Sequence, residues 1–310
     1  MSNFVHNPVL VRDVLEALQP RPGAFCVDAT VGGGGHAAAW LAASSPTGRL
    51  FGCDRDGDAI EAAGQRLAEF AGRFELRRGN FAELAHWLPA GSCDAVLLDL
   101  GVSSHQLDQA ERGFSFLQDG PLDMRQDRRE TGTAADLIQS APAEELARIF
   151  WEFGEEPQAR RIARALERQR QVERFTRTRQ LADFIERMCP RRGARRHPAT
   201  RIFQALRMAV NQEMESLKSG LEGAVAVLKP GGRLAVIAFH SLEDRMVKNF
   251  GNERSRDYTF EGERDVPELR QMRRPELRWV RRKALQADAA EVATNVRSRS
   301  AHLRVLEKVG

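Results

Sequence analysis

One tyrosine, five lysines and four cysteines are all that 310 residues hold of these types, and each scarcity excludes something. The cysteines, Cys26, Cys53, Cys93 and Cys189, stand far apart with no CxxC pair. That pattern argues against a disulfide framework and a zinc knuckle, and no metal is expected. Long apolar runs are missing too. The longest, Ala37 to Ala43, falls far short of the roughly 20 residues a membrane span needs. The segment Met1-Ser2-Asn3-Phe4-Val5-His6 lacks the basic and apolar stretches of a secretion signal, so a soluble, cytoplasmic chain with no membrane partner is expected. With 42% apolar and 29% charged residues the composition is that of a folded globular protein. At about 150 residues per domain the length suggests two domains, or one carrying a large insertion.

Arginine takes the place of the missing lysine, and it is unevenly spread. From Gln158 to Arg207 fifteen arginines oppose four acids, Glu167, Glu173, Asp183 and Glu186, which gives the segment +11 in a chain whose total is +4. A cationic block on an acidic body is the electrostatic footprint of a polyanion partner, most often nucleic acid. Arginine-rich codon usage or a solvated helix face is the competing explanation.

Hydrophobic patterning gives short strands at Phe25–Ala29, Arg49–Asp54, Phe74–Arg78, Asp94–Asp99 and Arg233–Phe239, with helices from Ala37 to Ala43 and from about Asp56 to Ala71. Strands alternating with helices between Gly/Pro turns predict an α/β fold with a parallel sheet covered on both faces. The gap before the last of these strands is too long for one crossover. Within it, Ala143–Phe153, Gln158–Arg174 and Arg179–Met188 read as helices, Thr200–Leu228 as a longer helix or helix pair, and Pro190–Pro198 as a basic loop. The expected division is a discontinuous sheet domain, 1–134 and 208–310, with an inserted, all-helical, Arg-rich subdomain at 135–207.

The first strand runs into Gly32-Gly33-Gly34-Gly35-His36. Glycines there let the backbone turn sharply and approach a ligand, and the N–H groups of the following helix face it. Gly32-x-Gly34-x-x-Ala37 also fits the dinucleotide pattern, which alone is a weak signal. Asp54, closing the second strand 22 residues beyond Gly32, strengthens it, because an acid there accepts hydrogen bonds from ribose hydroxyls. Phe81 follows the third strand and either packs on an adenine or belongs to the core. Asp99 ends the fourth strand, where open α/β sheets bind ligands. His240 and Ser241 follow the fifth. This arrangement is shared by nicotinamide and S-adenosylmethionine (SAM) enzymes. A dehydrogenase leaves the cationic insertion unexplained, and a non-catalytic RNA-binding factor leaves Asp99 without a role. A methyltransferase acting on nucleic acid accounts for both halves.

Longer motifs carry a resemblance that runs nearly end to end. They include His6-x-Pro8-Val9-Leu10, Asp28-Ala29-Thr30-Val31-Gly32-Gly33-Gly34-Gly35-His36, Asp54-Arg55-Asp56, and Leu97-Leu98-Asp99-Leu100-Gly101-Val102-Ser103-Ser104-x-Gln106-Leu107-Asp108. Arg112-Gly113-Phe114-Ser115-Phe116, Asp119-Gly120-Pro121-Leu122-Asp123-Met124-Arg125 and Gly154-Glu155-Glu156 follow. Then come His197-Pro198-Ala199-Thr200-Arg201-x-Phe203-Gln204-Ala205-Leu206-Arg207, Phe239-His240-Ser241-Leu242-Glu243-Asp244-Arg245 and Asn295-x-Arg297-x-Arg299-Ser300-Ala301. The chain resembles the bacterial 16S rRNA (cytosine-N4)-methyltransferases of the RsmH (MraW) family. The resemblance implies a Rossmann-like class I SAM-dependent methyltransferase sheet, SAM as cofactor, and 16S rRNA of the small ribosomal subunit as partner, methylated on a cytosine amine in the decoding centre (P site). By the family pattern, SAM contacts fall on Gly34, Gly35, His36, Asp54, Phe81, Asp99 and Gln106. His105 stands where many relatives carry proline, Phe153 where tyrosine is frequent, and Gly251–Pro275 matches no motif. A homodimer is left open.

Cytosine methylation at carbon 5 needs a cysteine thiolate to attack the ring. Cys26 and Cys53 lie within strands, Cys93 precedes one, and Cys189 sits in the insertion, so the 4-amino group is the favoured acceptor. Asp99 or a nearby carbonyl is expected to accept a hydrogen bond from that amine. Ser103, Ser104, His240 and Ser241 are candidates to read the base edge, and Phe114, Phe116 or Phe239 to stack on it. Arg191, Arg192, Arg195, Arg196 and Arg201 are expected to clamp RNA phosphates.

Overall fold

Asp28, Asp54 and Asp99 close three neighbouring strands at one edge of a seven-stranded sheet, and the fold is what gathers them. The structure, a computed structural model, describes residues 8–190, 197–260 and 265–310. It divides into two units, one of Met1–Gly101 with Ser216–Gly310 and one of Val102–Glu215.

The first unit holds β1 (Phe25–Asp28), β2 (Arg49–Asp54), β3 (Phe74–Arg78), β4 (Cys93–Asp99), β5 (Leu228–Ala238), β6 (Leu277–Leu285) and β7 (His302–Lys308). Their order across the sheet is β3-β2-β1-β4-β5-β7-β6. The first five run parallel, and β7 is antiparallel to both neighbours, β5 and β6. The order reverses at β1, which lies between β2 and β4, and open α/β sheets bind ligands at such a reversal.

Pleating sends alternate residues to opposite faces. Val27, Phe51, Val96, Leu98 and Val236 share one buried layer with Leu217, Leu221 and Ala224 of the helix Glu213–Val227. Cys26, Leu50, Ala95, Leu97 and Ile237 face the other way, into a layer with Val14 and Leu18 of α1 (Val11–Leu18). That second layer also takes Trp40 and Leu41 of α2 (Gly35–Ala43) and Ala63 of α3 (Gly57–Arg66). Each fully buried Leu, Val or Phe contributes about 1.5–3 kcal/mol, enough for the two layers to fix the register in which the strand ends line up. Among the described residues no helix is long and apolar enough to cross a membrane.

The second unit packs helices Ala134–Ser140, Ala143–Glu152, Ala159–Gln169, Thr178–Met188 and Ala199–Val210 around Ile138, Leu146, Phe150, Ile162, Leu166, Leu181, Ile185 and Leu206. Its limits are wider than the 135–207 read from sequence. The loop-rich stretch from Val102 belongs to it because Phe114, Leu122 and Met124 are buried in the same core. The Leu122 N–H donates to the Thr176 carbonyl at 2.9 Å, and the Gly120 N–H to Thr178 Oγ1 at 3.0 Å. At Gly120 a Cβ would lie 1.8 Å from the Ala110 carbonyl oxygen, so the close approach of this loop to Ala110 requires glycine.

Candidate active site

The loop after β1 is shaped by backbone that side chains resist. Gly32 and Gly34 have φ of +50° and +76°. A Cβ on Gly34 would come within 3.2 Å of the Ala63 Cα, so the loop lies against α3 as closely as backbone allows. Gly35 opens α2, and its own Cβ position would meet Pro8 at 2.8 Å.

Asp54 ties this loop to the end of β2. Its Oδ2 accepts from the Gly32 N–H at 3.0 Å and its Oδ1 from the Asp56 N–H at 2.9 Å. Asp56 in turn caps α3 by accepting from the Asp58 N–H. The Arg55 N–H is a third backbone donor to this carboxylate, which leaves about one of its roughly four acceptor sites for a ribose hydroxyl. Burial pushes the Asp54 carboxyl up to about 6, although the backbone donors at Asp56 and Gly32 hold it down.

The next strand end is joined by Thr30, whose Oγ1 accepts from the Asp99 N–H at 2.6 Å. Asp99 Oδ2 lies 3.6 Å from His36 Nε2, and Asp99 Oδ1 is buried with no hydrogen-bond partner among the described residues. Asp28, 2% exposed, completes the group; one of its oxygens accepts from the Thr30 N–H and the other has no partner among the described residues. Burial raises Asp28 to about 7, with His36 opposing and Asp99 reinforcing the shift. Burial by itself lowers His36, but Asp99 and Asp28 outweigh it and leave the imidazole above its ordinary value.

These shifts have one sign in stability. Between about pH 4 and pH 7 folded Asp28 retains a proton that the unfolded chain has released, so raising the pH favours unfolding. Asp54 acts alike up to about pH 6, and His36 loses its stabilising proton as the pH passes above its folded value. Asp94, Asp123 and Asp244 are shifted down, so they are ionised in both states there and stay silent. Thermal midpoints should therefore fall from pH 5 to pH 8, and Asp28→Asn should flatten that slope.

His240 and Ser241 follow β5. The His240 ring caps the helix Ser241–Arg254: Nδ1 accepts from the Glu243 N–H at 3.4 Å, and Nε2 is 3.0 Å from Glu243 Oε1. That geometry suits His240 to anchoring the turn. Ser241 is the exposed first residue of the helix. Phe81 begins the turn after β3 and is half-buried; its ring lies against Gly220, where a Cβ would come within 2.3 Å.

The helical unit holds the rest. Ser103 and Gln106 form a reciprocal cap: Ser103 Oγ accepts from the Gln106 N–H at 3.2 Å and Gln106 Oε1 from the Ser103 N–H at 3.0 Å. Ser104 opens the short helix that they cap. Phe114 is core, and Phe116 packs on His197 and Phe203 with ring centres 4.7 and 4.8 Å away, so neither is a loose stacking platform. Arg201 is exposed, with Nη1 3.9 Å from Glu156 Oε2. Arg191, Arg192, Arg195 and Arg196 lie outside the described residues.

Sequence reasoning had the glycine loop, His36, Asp54 and Asp99, which the structure brings together. It passed over Asp28 and Thr30 as members of the site, although an acid in the strand Phe25-Cys26-Val27-Asp28 is the kind of costly burial that signals a role.

A profile of the MraW methylase family matches residues 3–309. The ribosomal RNA small subunit methyltransferase H of Syntrophotalea carbinolica is 50% identical over 311 residues, covering 99% of this chain and 98% of that protein. The protein of the same name from Citrifermentans bemidjiense is 49% identical over 314 residues, covering 100% of both. A glycine cradle, a ribose-ready acid and an unpartnered buried carboxylate oxygen suit a charged nucleoside, and with these matches the chain belongs to the MraW methylase family and is a SAM-dependent methyltransferase.

Proposed function

We propose that the chain methylates the 4-amino group of a cytosine in the decoding centre (P site) of 16S rRNA, in the small ribosomal subunit, by direct in-line transfer. Two relatives at about half identity, both ribosomal RNA small subunit methyltransferases H, support the RNA substrate. The observation that carries the amine acceptor is Asp99 Oδ1, a buried carboxylate oxygen with no partner among the described residues, at the sheet edge beside the glycine loop. Leaving such an acceptor unsatisfied costs about 1–3 kcal/mol, a cost relieved when an incoming N–H fills it.

Bound at the glycine loop, SAM supplies a methyl group made electrophilic by its positive sulfur. Gly34, Gly35 and Asp54 hold the cofactor, with Phe81 and Gln106 assigned to it by the family pattern. His36 and Asp99 lie beside one another, and Asp99 accepts a hydrogen bond from the cytosine amine, localising the nitrogen lone pair. Ser103, Ser104 and Ser241 remain candidates for the base edge, with His240 positioning its turn. The helical unit, through Arg201 and the arginines from 191 to 196, is assigned to RNA phosphates.

The cysteines favour nitrogen over carbon 5. All four are buried, and burial is the leading cause that raises each thiol, so none is a ready thiolate. Transfer of labelled methyl to small-subunit RNA, followed by nucleoside mass spectrometry, should yield N4-methylcytidine. Cys26→Ala, Cys53→Ala, Cys93→Ala and Cys189→Ala should each keep kcat within about threefold, because no step uses a thiol nucleophile. C5-methylcytidine as product, or one alanine variant that folds but is dead, would overturn the assignment.

A further inference from the structure

Two adjacent helices of the second unit leave a groove lined by none of the residues assigned above to cofactor or substrate contacts. The helix Ala143–Glu152 buries Leu146, Ile149 and Phe150 and turns Trp151 outward, 63% exposed, whereas Trp40 is 2% exposed and Trp87 and Trp279 are half-buried. The helix Ala159–Gln169 buries Ile162, Ala163 and Leu166 and leaves Arg160, Arg161, Arg164 and Arg168 exposed along its other side. Between the helices lies a groove of about 830 Å³, a volume within the range of ligand clefts. Trp151, Arg148, Arg160, Arg161 and Arg164 line it, with Glu144 as its acid.

The charges are not equivalent. Arg148 is neutralised by Glu145 and Glu152, and Arg161 donates to Gln158 Oε1 and the Met188 carbonyl. Arg160, Arg164 and Arg168 have no side-chain partner among the described residues, and they recur at i, i+4 and i+8, one row of a helix. A row of uncompensated guanidinium groups beside an exposed indole joins the two requirements of single-stranded RNA: cations for successive phosphates and a flat face for a base. An apolar protein helix would find the indole but would leave the arginines unpaired.

We propose that this groove is a second RNA-contact surface, holding a single-stranded segment with its phosphates along Arg160, Arg164 and Arg168 and a base stacked on Trp151. The inference rests on the RNA substrate argued above and extends it to a part of the chain distant in sequence from Asp99. Such a contact would grip unpaired RNA flanking the methylated cytosine, and so set KM without touching the chemistry.

The test is fluorescence anisotropy of the full chain with a labelled single-stranded RNA of about 12 nucleotides, in the site-size range of such proteins, titrated at several salt concentrations. Arg160→Gln with Arg164→Gln should reduce the slope of log affinity against log salt by about 1.4, since each single-strand phosphate contact contributes about 0.7. Trp151→Ala should weaken binding about tenfold at every salt concentration with the slope unchanged, and Trp151→Phe should restore most of it. Both variants should raise KM for RNA while kcat and SAM affinity stay at wild type. Wild-type affinity and slope in both, with melting curves intact, would overturn the proposal. So would unchanged RNA binding together with lost binding to the RNA-free proteins of the small subunit. Altered slopes in a chain that makes C5-methylcytidine would leave this groove standing and sink the amine assignment instead.

Discussion

Asp99→Asn is expected to lower kcat about 100-fold, the scale on which one preorganised polar group at a reacting centre counts, while the SAM Kd moves by less than about threefold. The change preserves shape, and the Asp99 N–H keeps its bond to Thr30 Oγ1, so the strand end stays in place. What disappears is charge. A neutral amide oxygen accepts roughly half as strongly as a carboxylate, and the amide now has donors that face the cytosine amine donor for donor. The same variant removes the largest influence raising His36, so the imidazole pKa, followed by NMR, should drop. A drop in the His36 value with kcat unchanged would separate the electrostatic role from the catalytic one and refute the latter.

Asp54→Ala should raise the SAM Kd about 100-fold and leave kcat near wild type at saturating SAM, because charge-assisted hydrogen bonds contribute about 1.5–3 kcal/mol each. The substitution removes the acceptor that fixes the Gly32 N–H and the Asp56 N–H, so the loop loses its anchor as well as its ribose contact. Isothermal titration measures it directly. Since the Asp54 carboxyl lies near 6, SAM affinity in the wild-type chain should also weaken below pH 6, as protonation converts an acceptor into a donor. A flat affinity between pH 5 and pH 7 would remove Asp54 from the cofactor site.

The parts of the fold legible in the sequence were those with local causes. β2 and β3 lie where alternation and apolar content put them, because each is bounded by turn residues. β6 and β7 were not read. In β6, Arg278, Arg281 and Arg282 interrupt Leu277-Arg278-Trp279-Val280-Arg281-Arg282-Lys283, and in β7 Arg304, Glu307 and Lys308 interrupt the apolar run. Several of these charges are satisfied only by residues distant in sequence, as when Arg278 meets Glu307 of the neighbouring strand and Arg304 meets Asp244 at 2.6 Å. The stretch from Val102 that packs with the helical unit was not legible for a similar reason: Phe114, Leu122 and Met124 sit in a loop-rich stretch without periodicity, and only their burial assigns them to the helical core. In the site, the glycine loop and Asp54 follow from spacing, whereas Thr30 bonding across to Asp99 depends on β1 and β4 being neighbours, which no local pattern encodes.

β7 occupies an interior place although it follows β5 and β6 in the chain. β5 is complete at Ala238, but its partner β7 begins only at His302, and β6 then pairs on the far side of β7. During synthesis at about 5–20 residues per second, β5 therefore spends roughly 3–13 s as a bare edge, offering unpaired N–H and C=O groups beside Leu234 and Val236 to any other strand. Nascent chains of this protein should be most prone to mispairing and most in need of a chaperone in that interval, and a stalled or truncated product lacking β7 should aggregate through β5.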